Sequence, residues 1–457
     1  MQARLTGVWD NIRSSYWFFP SILSLAAIFL SFAIPCFDIA FGWWLLAGNP
    51  WLQISPAVAQ SILTTIAGAT VTVAGVVFSI TIATLSIASS QLGPRLIRTF
   101  MSKTSINVVL GVFISSSIYC ILALTWVRSQ SGFEFVPNFS VAFGVLLAVL
   151  SMGCLIYYLQ AVATLIQAPN VVQSVAYELD AAIDRLFPDA VGEAPQEPLT
   201  QEVVGRRLDG LGSECVDVTA TQEGYVMNMD ERTLLDMAMK HDLILRIHCQ
   251  PGEFIIHGSV LMRAWPKKNC SDELTPVLRY AFLTGNRRTP RQDIECAVNE
   301  LVEIAVRALS PSLNDPFTAI NCIDRLGASL SRLAKADMPS PYRYDSEGAL
   351  RIIFVPVTFK GILDAAFDQI RQYGRDSTAV IIRLLDILAL LMSHAKRQSD
   401  SDAILRQASM IKNGCNQELI GEDLGDVMDR YAEVIAAAER RRHDDSERDR
   451  ECMNNDV

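Results

Sequence analysis

The sequence holds 457 residues with 39 Lys and Arg against 49 Asp and Glu, a net charge of −10, and 50% of its residues are hydrophobic. A mean hydropathy of +0.25 is too apolar for a purely soluble chain of this length. The first 190 residues carry seven basic and seven acidic side chains, so the acidic surplus lies entirely beyond them, and its sign argues against nucleic acid as a partner.

No charged residue lies between Asp38 and Arg95, a run too long for one membrane span and interrupted near its start by Gly42, Gly48, Asn49, Pro50 and Pro56. The pattern predicts four transmembrane helices, at about 17–37, 57–92, 106–126 and 139–166, each able to cross roughly 30 Å of hydrocarbon. Trp17, Trp43, Trp44, Trp51 and Trp126 fall near span ends, as interfacial anchors do. Arg4 and Arg13 precede the first span, and Arg95, Arg98 and Lys103 fill the link between the second and third. The other two links hold only Asp38, Arg128 and Glu134. The positive-inside rule therefore puts both termini in the cytoplasm.

In the second span small or hydroxyl residues recur three or four apart: Ser61, Thr65, Gly68, Thr72, Gly75, Ser79, Ala83, Ser86 and Ser90. That spacing makes a seam along one helix face, about 43 Å long at 1.5 Å per residue. Two readings fit it. Small residues let helix backbones approach closely and hydroxyls bond across the contact. Alternatively, copies of the helix surround a pore, the hydroxyls facing water or ions and the glycines keeping the bore open. A homo-oligomer satisfies both. Arg95, Arg98 and Lys103 then form a basic inner mouth, or serve topology alone. The span cores contain no Asp, Glu, Lys, Arg or His, which disfavours a proton-driven carrier. Gln160, with Tyr157 and Tyr158, is read as a polar contact between helices.

After this membrane region (1–168), an amphipathic helix at 171–187 and a linker at 188–200 lead to a cytoplasmic α+β region. Strands are expected at 215–220, 224–229, 243–248, 254–257 and 260–265, around a helix at 231–240. The turns in Gly224-Tyr-Val-Met-Asn-Met-Asp and Pro251-Gly-Glu-Phe-Ile-Ile-His-Gly-Ser-Val-Leu are similar to those of barrel-sandwich domains, so 201–275 reads as a small β-barrel-like module lacking the modified lysine. His248 and His257 lack a third ligand and read as structural. The rest, 276–442, is mainly helical. Asp315 caps a helix with Pro316 at its first position, a buried strand is expected at 350–357, and 443–457 reads as a disordered tail.

Ten cysteines stand singly, without a CxxC pair or zinc-ligand spacing, and are expected to be reduced thiols. No phosphate-binding glycine loop, nucleophile elbow or His-Glu-x-x-His is present. Asn314 and Asp315 are explained by turn and cap chemistry, and Asp324 adds no catalytic set. Arg287, Arg288 and Arg291 form a basic loop, solvated unless an anion or lipid headgroup sits there. The expectation is a non-enzyme with neither cofactor nor metal.

The stretch Val71 to Leu92 with its continuation Gly93-Pro-Arg-Leu, the segment Ser310-Pro-Ser-Leu-Asn-Asp-Pro-Phe-Thr-Ala-Ile-Asn-Cys-Ile-Asp324 and Ala366-Phe-Asp-Gln-Ile-Arg-Gln-Tyr-Gly374 resemble one family. It is the bacterial predicted membrane proteins grouped as domain of unknown function 2254, and the resemblance runs from about residue 10 to 440. It implies a bacterial inner-membrane location and supplies no activity or functional residues. In its richness in small residues alone, the second span also resembles the pore helix of the small-conductance mechanosensitive channel. The leading expectation is a homo-oligomeric channel in the lipid bilayer with the second span on its axis. The alternative is a membrane-anchored sensory or scaffold protein.

Overall fold

A computed structural model describes residues 17–46, 54–93, 104–130, 133–165, 167–187, 214–355, 357–415 and 419–455. The chain divides into two compact units, 1–171 and 172–457.

Four helices of the first unit are long and apolar enough to cross a membrane: α1 (Phe18–Leu46), α2 (Pro56–Leu92), α3 (Thr104–Leu124) and α4 (Asn138–Leu165). A short hairpin of β1 (Arg128–Gln130) and β2 (Phe133–Phe135) links the last two. The four expected spans are therefore found, with one difference: α1 continues through Pro35 and Gly42 as far as Leu46. Helix α3 is the centre of the unit. In its apolar stretch 56% of residues are buried, against 17–22% in the other three helices.

Close packing there depends on small residues. A Cβ on Gly111 of α3 would sit 3.1 Å from Pro20 Cα of α1, and one on Gly144 of α4 would sit 3.1 Å from Leu63 of α2. Hydroxyls bond across the same contacts, as Ser116 to Ser151 at 3.1 Å and Thr81 to Tyr158 at 2.8 Å. Tyr158 also donates to the Val77 carbonyl, which makes it the polar helix contact expected of this segment, whereas Gln160 is exposed.

The second unit begins with the amphipathic helix α5 (Ala168–Leu186), most of which lies in it. The expected linker at 188–200 lies outside the described residues. Then follow β3 (Val216–Thr219), β4 (Gly224–Met229), α6 (Glu231–Lys240), β5 (Ile244–Ile247), β6 (Phe254–Ile255), β7 (Val260–Trp265), α7 (Leu274–Tyr280) and β8 (Phe282–Gly285). The helical hairpin α8 (Ile294–Ala308) and α9 (Pro316–Lys335) precedes β9 (Tyr342–Tyr344) and β10 (Leu350–Ile353). Four helices close the chain: α10 (Phe359–Tyr373), α11 (Thr378–His394), α12 (Gln398–Cys415) and α13 (Glu422–Asn455).

Among the described residues the expected barrel is not found. The described strands of the second unit form two open sheets, one in the order β3-β7-β5-β10-β9 and one in the order β6-β4-β8. The reason is long-range: β10, about a hundred residues beyond β5, pairs parallel to it and extends the sheet outward instead of letting it close. The hairpin turns themselves were legible, since Gly224, Gly252 and Gly258 all adopt positive φ. Leu234, Leu245, Met262, Leu278 and Ile352 form the core beneath both sheets. Asp315 accepts from Thr318 N–H and caps α9, with Pro316 in the first turn, as the sequence indicates.

Residues 443–455, expected to be disordered, continue α13 as a helix; the stretch carries charges of both signs and contains no Pro or Gly to stop it. In the helical bundle, α9 and α11 meet at Gly327, where a Cβ would approach Ile387 Cγ2 to 2.6 Å. Gly327→Val is expected to force these helices apart and cost about 1–3 kcal/mol. A denaturation midpoint lowered accordingly, with the helical circular dichroism retained, is the corresponding measurement.

Candidate functional site

Helix α2 has three faces. Ala59, Leu63, Ala67, Thr70, Ala74, Val77 and Ala88 are buried against the other helices of the unit. At about 100° per residue the small-residue seam lies roughly on the opposite side. Every member of it, Ser61, Thr65, Gly68, Thr72, Gly75, Ser79, Ala83, Ser86 and Ser90, is exposed. Bulky apolar side chains flank the seam, with Val71, Phe78 and Ile82 to one side and Val58, Val76, Ile80 and Ile87 to the other. No heavy atom lies within 4 Å of a Cβ built on Gly68 or Gly75. Around its two glycines the seam therefore packs against none of the described residues.

Its hydroxyls are turned onto their own helix. Thr65 donates to Ser61 O at 2.7 Å, Thr72 to Gly68 O at 2.9 Å and Ser79 to Gly75 O at 2.9 Å. Back-bonding of this kind satisfies the one hydroxyl proton and leaves the oxygen's lone pairs as acceptors along the exposed face. The result is a stripe that is small in cross-section, weakly polar, and uncharged. The basic residues Arg95, Arg98 and Lys103 lie outside the described residues.

One polar element of the first unit was not legible in the sequence. Asp38, read as a link residue, lies inside α1 and is buried, at 6% exposure. Its carboxylate accepts from Phe139 N–H and Ser140 N–H, both at 3.2 Å, and from the Ser140 hydroxyl at 3.3 Å. These are the first amides of α4, so the carboxyl group of one helix caps the positive end of another. Asn138 accepts from Ile54 N–H at 3.1 Å, just ahead of α2, and Tyr119 of α3 donates to the Ser140 carbonyl. All four helices are thus tied together at one end. Asp38→Ala is expected to destabilise the unit by about 1–3 kcal/mol, because two helix-terminal amides lose their side-chain acceptor, and Asp38→Asn by less; thermal unfolding in detergent measures both.

The second unit contains a cleft of about 530 Å³ whose lining includes Arg288, Asp293, Arg343, Phe354 and Thr358. Its polar groups are committed within the fold. Arg288 donates to both oxygens of Asp293, at 2.6 and 2.8 Å, and Asp293 also caps α8 by accepting from Cys296 N–H. Gly252, at φ +93°, lies directly over this pair, where any Cβ would run into the Asp293 carboxylate. Arg343 stacks on Phe354 at 5.0 Å and reaches Glu231 at 3.4 Å. Arg288 of the basic loop is therefore a structural cation, while Arg287 and Arg291 are exposed. Asp324 pairs with Arg383 at 2.5 Å, and no group of three His, Cys, Asp or Glu side chains among the described residues could hold a metal ion.

Four apolar helices ahead of a mixed α/β region with a helical end define a multi-pass membrane protein. The chain belongs to the family described as predicted membrane protein (DUF2254), whose model matches residues 13–390. It is similar to an uncharacterized protein of Mycobacterium bovis and to uncharacterized proteins of two Mycobacterium tuberculosis strains. Each is 28% identical over 451 residues, covering 96% of this chain and 82% of the relative. No solved structure matches.

Proposed function

We propose that the protein is a homo-oligomeric channel or pore of a bacterial inner membrane, conducting ions or small solutes. Helix α2 lines its axis, and the second unit, on the cytoplasmic side, serves as vestibule or sensor. The observation that carries this reading is the outward position of the seam. Lipid tails reward bulky apolar side chains, such as those flanking the stripe, and gain little from Gly, Ser and Thr. A stripe of small residues directed away from its own bundle has a physical use if the same stripe of another copy approaches it, or if water does. The outward-facing hydroxyl oxygens suit contact with water or cations.

The test is reconstitution of purified protein into bilayers under voltage, tension or candidate ligands. Currents that change with substitutions at Thr72 and Ser79 support conduction, and a silent bilayer under all three stimuli contradicts it. A second reading, a membrane-anchored sensor or scaffold without conduction, is favoured by the 530 Å³ cleft. It requires the seam to hold copies together and nothing more, so oligomers without current would select it.

A further inference from the structure

The outer face of the five-stranded sheet carries a charge arrangement that packing does not explain. Along β5 and the residues after it, Leu245, Ile247 and Cys249 enter the core, so Arg246 and His248 share the opposite face. In the antiparallel register of β5 with β7, Arg246 stands directly opposite Arg263. On the far side of β7, Asp217 of β3 stands opposite Arg263 and accepts from its Nε at 2.9 Å. Two guanidinium groups thus share this face with one carboxylate, which among the described residues pairs with Arg263 only, and like charges directly opposite on a strand pair destabilise it.

Arg246 is exposed, and its side chain has neither an ion pair nor a hydrogen bond among the described residues. Arg263, with 44% of its side chain exposed, retains N–H donors beyond the one given to Asp217. His248 holds a third orphan: its backbone N–H is bonded to Leu261 O, but its ring Nε2 is buried without any hydrogen-bond partner.

We propose that this face is a site for a phosphate-type oxyanion, gripped between the Arg246 and Arg263 guanidinium groups, with the His248 imidazole on the same sheet face beside them. Planar guanidinium forks match the geometry of phosphate oxygens, and an anion between them removes the repulsion that the empty face retains. Asp217 fixes Arg263 from behind and leaves its other edge to the ligand. Burial, followed by the nearby Arg263 and Arg246 charges, holds the His248 imidazole below its ordinary pKa. A bound anion offsets those charges and raises it. Beside Arg246, Ile353 of β10 is its partner in the parallel register and belongs to a small apolar cluster with Ile244 and Tyr342. The group attached to the phosphate therefore meets an apolar neighbour. Free phosphate compounds and anionic lipid headgroups share this chemistry.

The experiment is calorimetric titration of full-length protein with inorganic phosphate at constant ionic strength, in nanodiscs of neutral phosphatidylcholine. One saturable site is expected, weakened about tenfold or more in Arg246→Gln, the loss of one bidentate charged contact. Arg232→Gln, which removes the same charge from the exposed face of α6, leaves binding unchanged. His248 ring resonances titrate at higher pH when phosphate is bound. A second arm adds phosphatidylglycerol to the nanodiscs. Weaker phosphate binding there, restored by Arg246→Gln to the value that variant shows in neutral lipid, identifies the headgroup as occupant; equal binding in both lipids identifies a soluble phosphate. Absence of saturable binding, or equal weakening by Arg246→Gln and Arg232→Gln, overturns the site.

Discussion

A leucine at Gly75 is expected to dismantle the assembly and abolish any current, while the individual chain keeps its fold. The two halves of this expectation have separate causes. Within one chain a Cβ at Gly75 or Gly68 meets nothing within 4 Å, so the added side chain displaces no neighbour and the buried side of α2, from Leu63 to Val77, is untouched. Between copies assembled along the seam as proposed, the opposite is expected. Helices meeting along small residues have backbones in close approach, and a leucine inserted there separates them. Overpacking costs about 1–3 kcal/mol at each contact, and in a closed ring the cost recurs at every subunit. Size-exclusion chromatography with light scattering should show smaller species in Gly75→Leu at unchanged helical content, and the reconstituted variant should pass no current. Phe78→Leu, on the flank, is the control and should change neither.

The second large effect is expected at Asp293. Its carboxylate, 3% exposed, caps α8 and accepts two bonds from Arg288, whose third side-chain contact is Glu295 at 3.4 Å. Asp293→Ala removes the cap and leaves a guanidinium with 26% of its side chain exposed facing an emptied site. Losing one partner of a buried pair costs about 3–5 kcal/mol, and the cap alone about 1 kcal/mol. Because Arg288 can recover some hydration, the lower end, about 3 kcal/mol, is expected. Asp293→Asn keeps the cap acceptor and should lose less than half of that. Hydrogen exchange in the first turn of α8 reports the change locally, and protection there should fall in the order wild type, Asn, Ala. Equal protection in all three would mean that the pair contributes little and that the Gly252 turn closes over it for another reason.

What could be read from the sequence follows from the range of the interactions. The four apolar helices, the cap at Asp315 and the glycine turns at 224, 252 and 258 are local patterns, and each was found where expected. The period of the seam was also local, but its direction was not. Which face of α2 is buried depends largely on α4, whose Tyr158 and Gly144 lie about eighty residues beyond their contacts Val77 and Leu63. For the same reason Asp38 read as a loop charge: its partners, the amides of Phe139 and Ser140, are a hundred positions away. The barrel expectation failed because β10 joins β5 from far along the chain, and the opposition of Arg246 and Arg263 is a property of strand register that composition does not reveal.

A direct test of the role given to α2 is disulfide cross-linking of full-length protein in membranes, in a background without the native cysteines. Single cysteines at Gly75 and Ser79 should cross-link between copies on mild oxidation, whereas cysteines at Phe78 and Ile80, about a quarter-turn away on either flank, should not. Cross-links at Phe78 or Ile80 with none at Gly75 and Ser79 would place the seam in lipid and contradict the assembly proposed here.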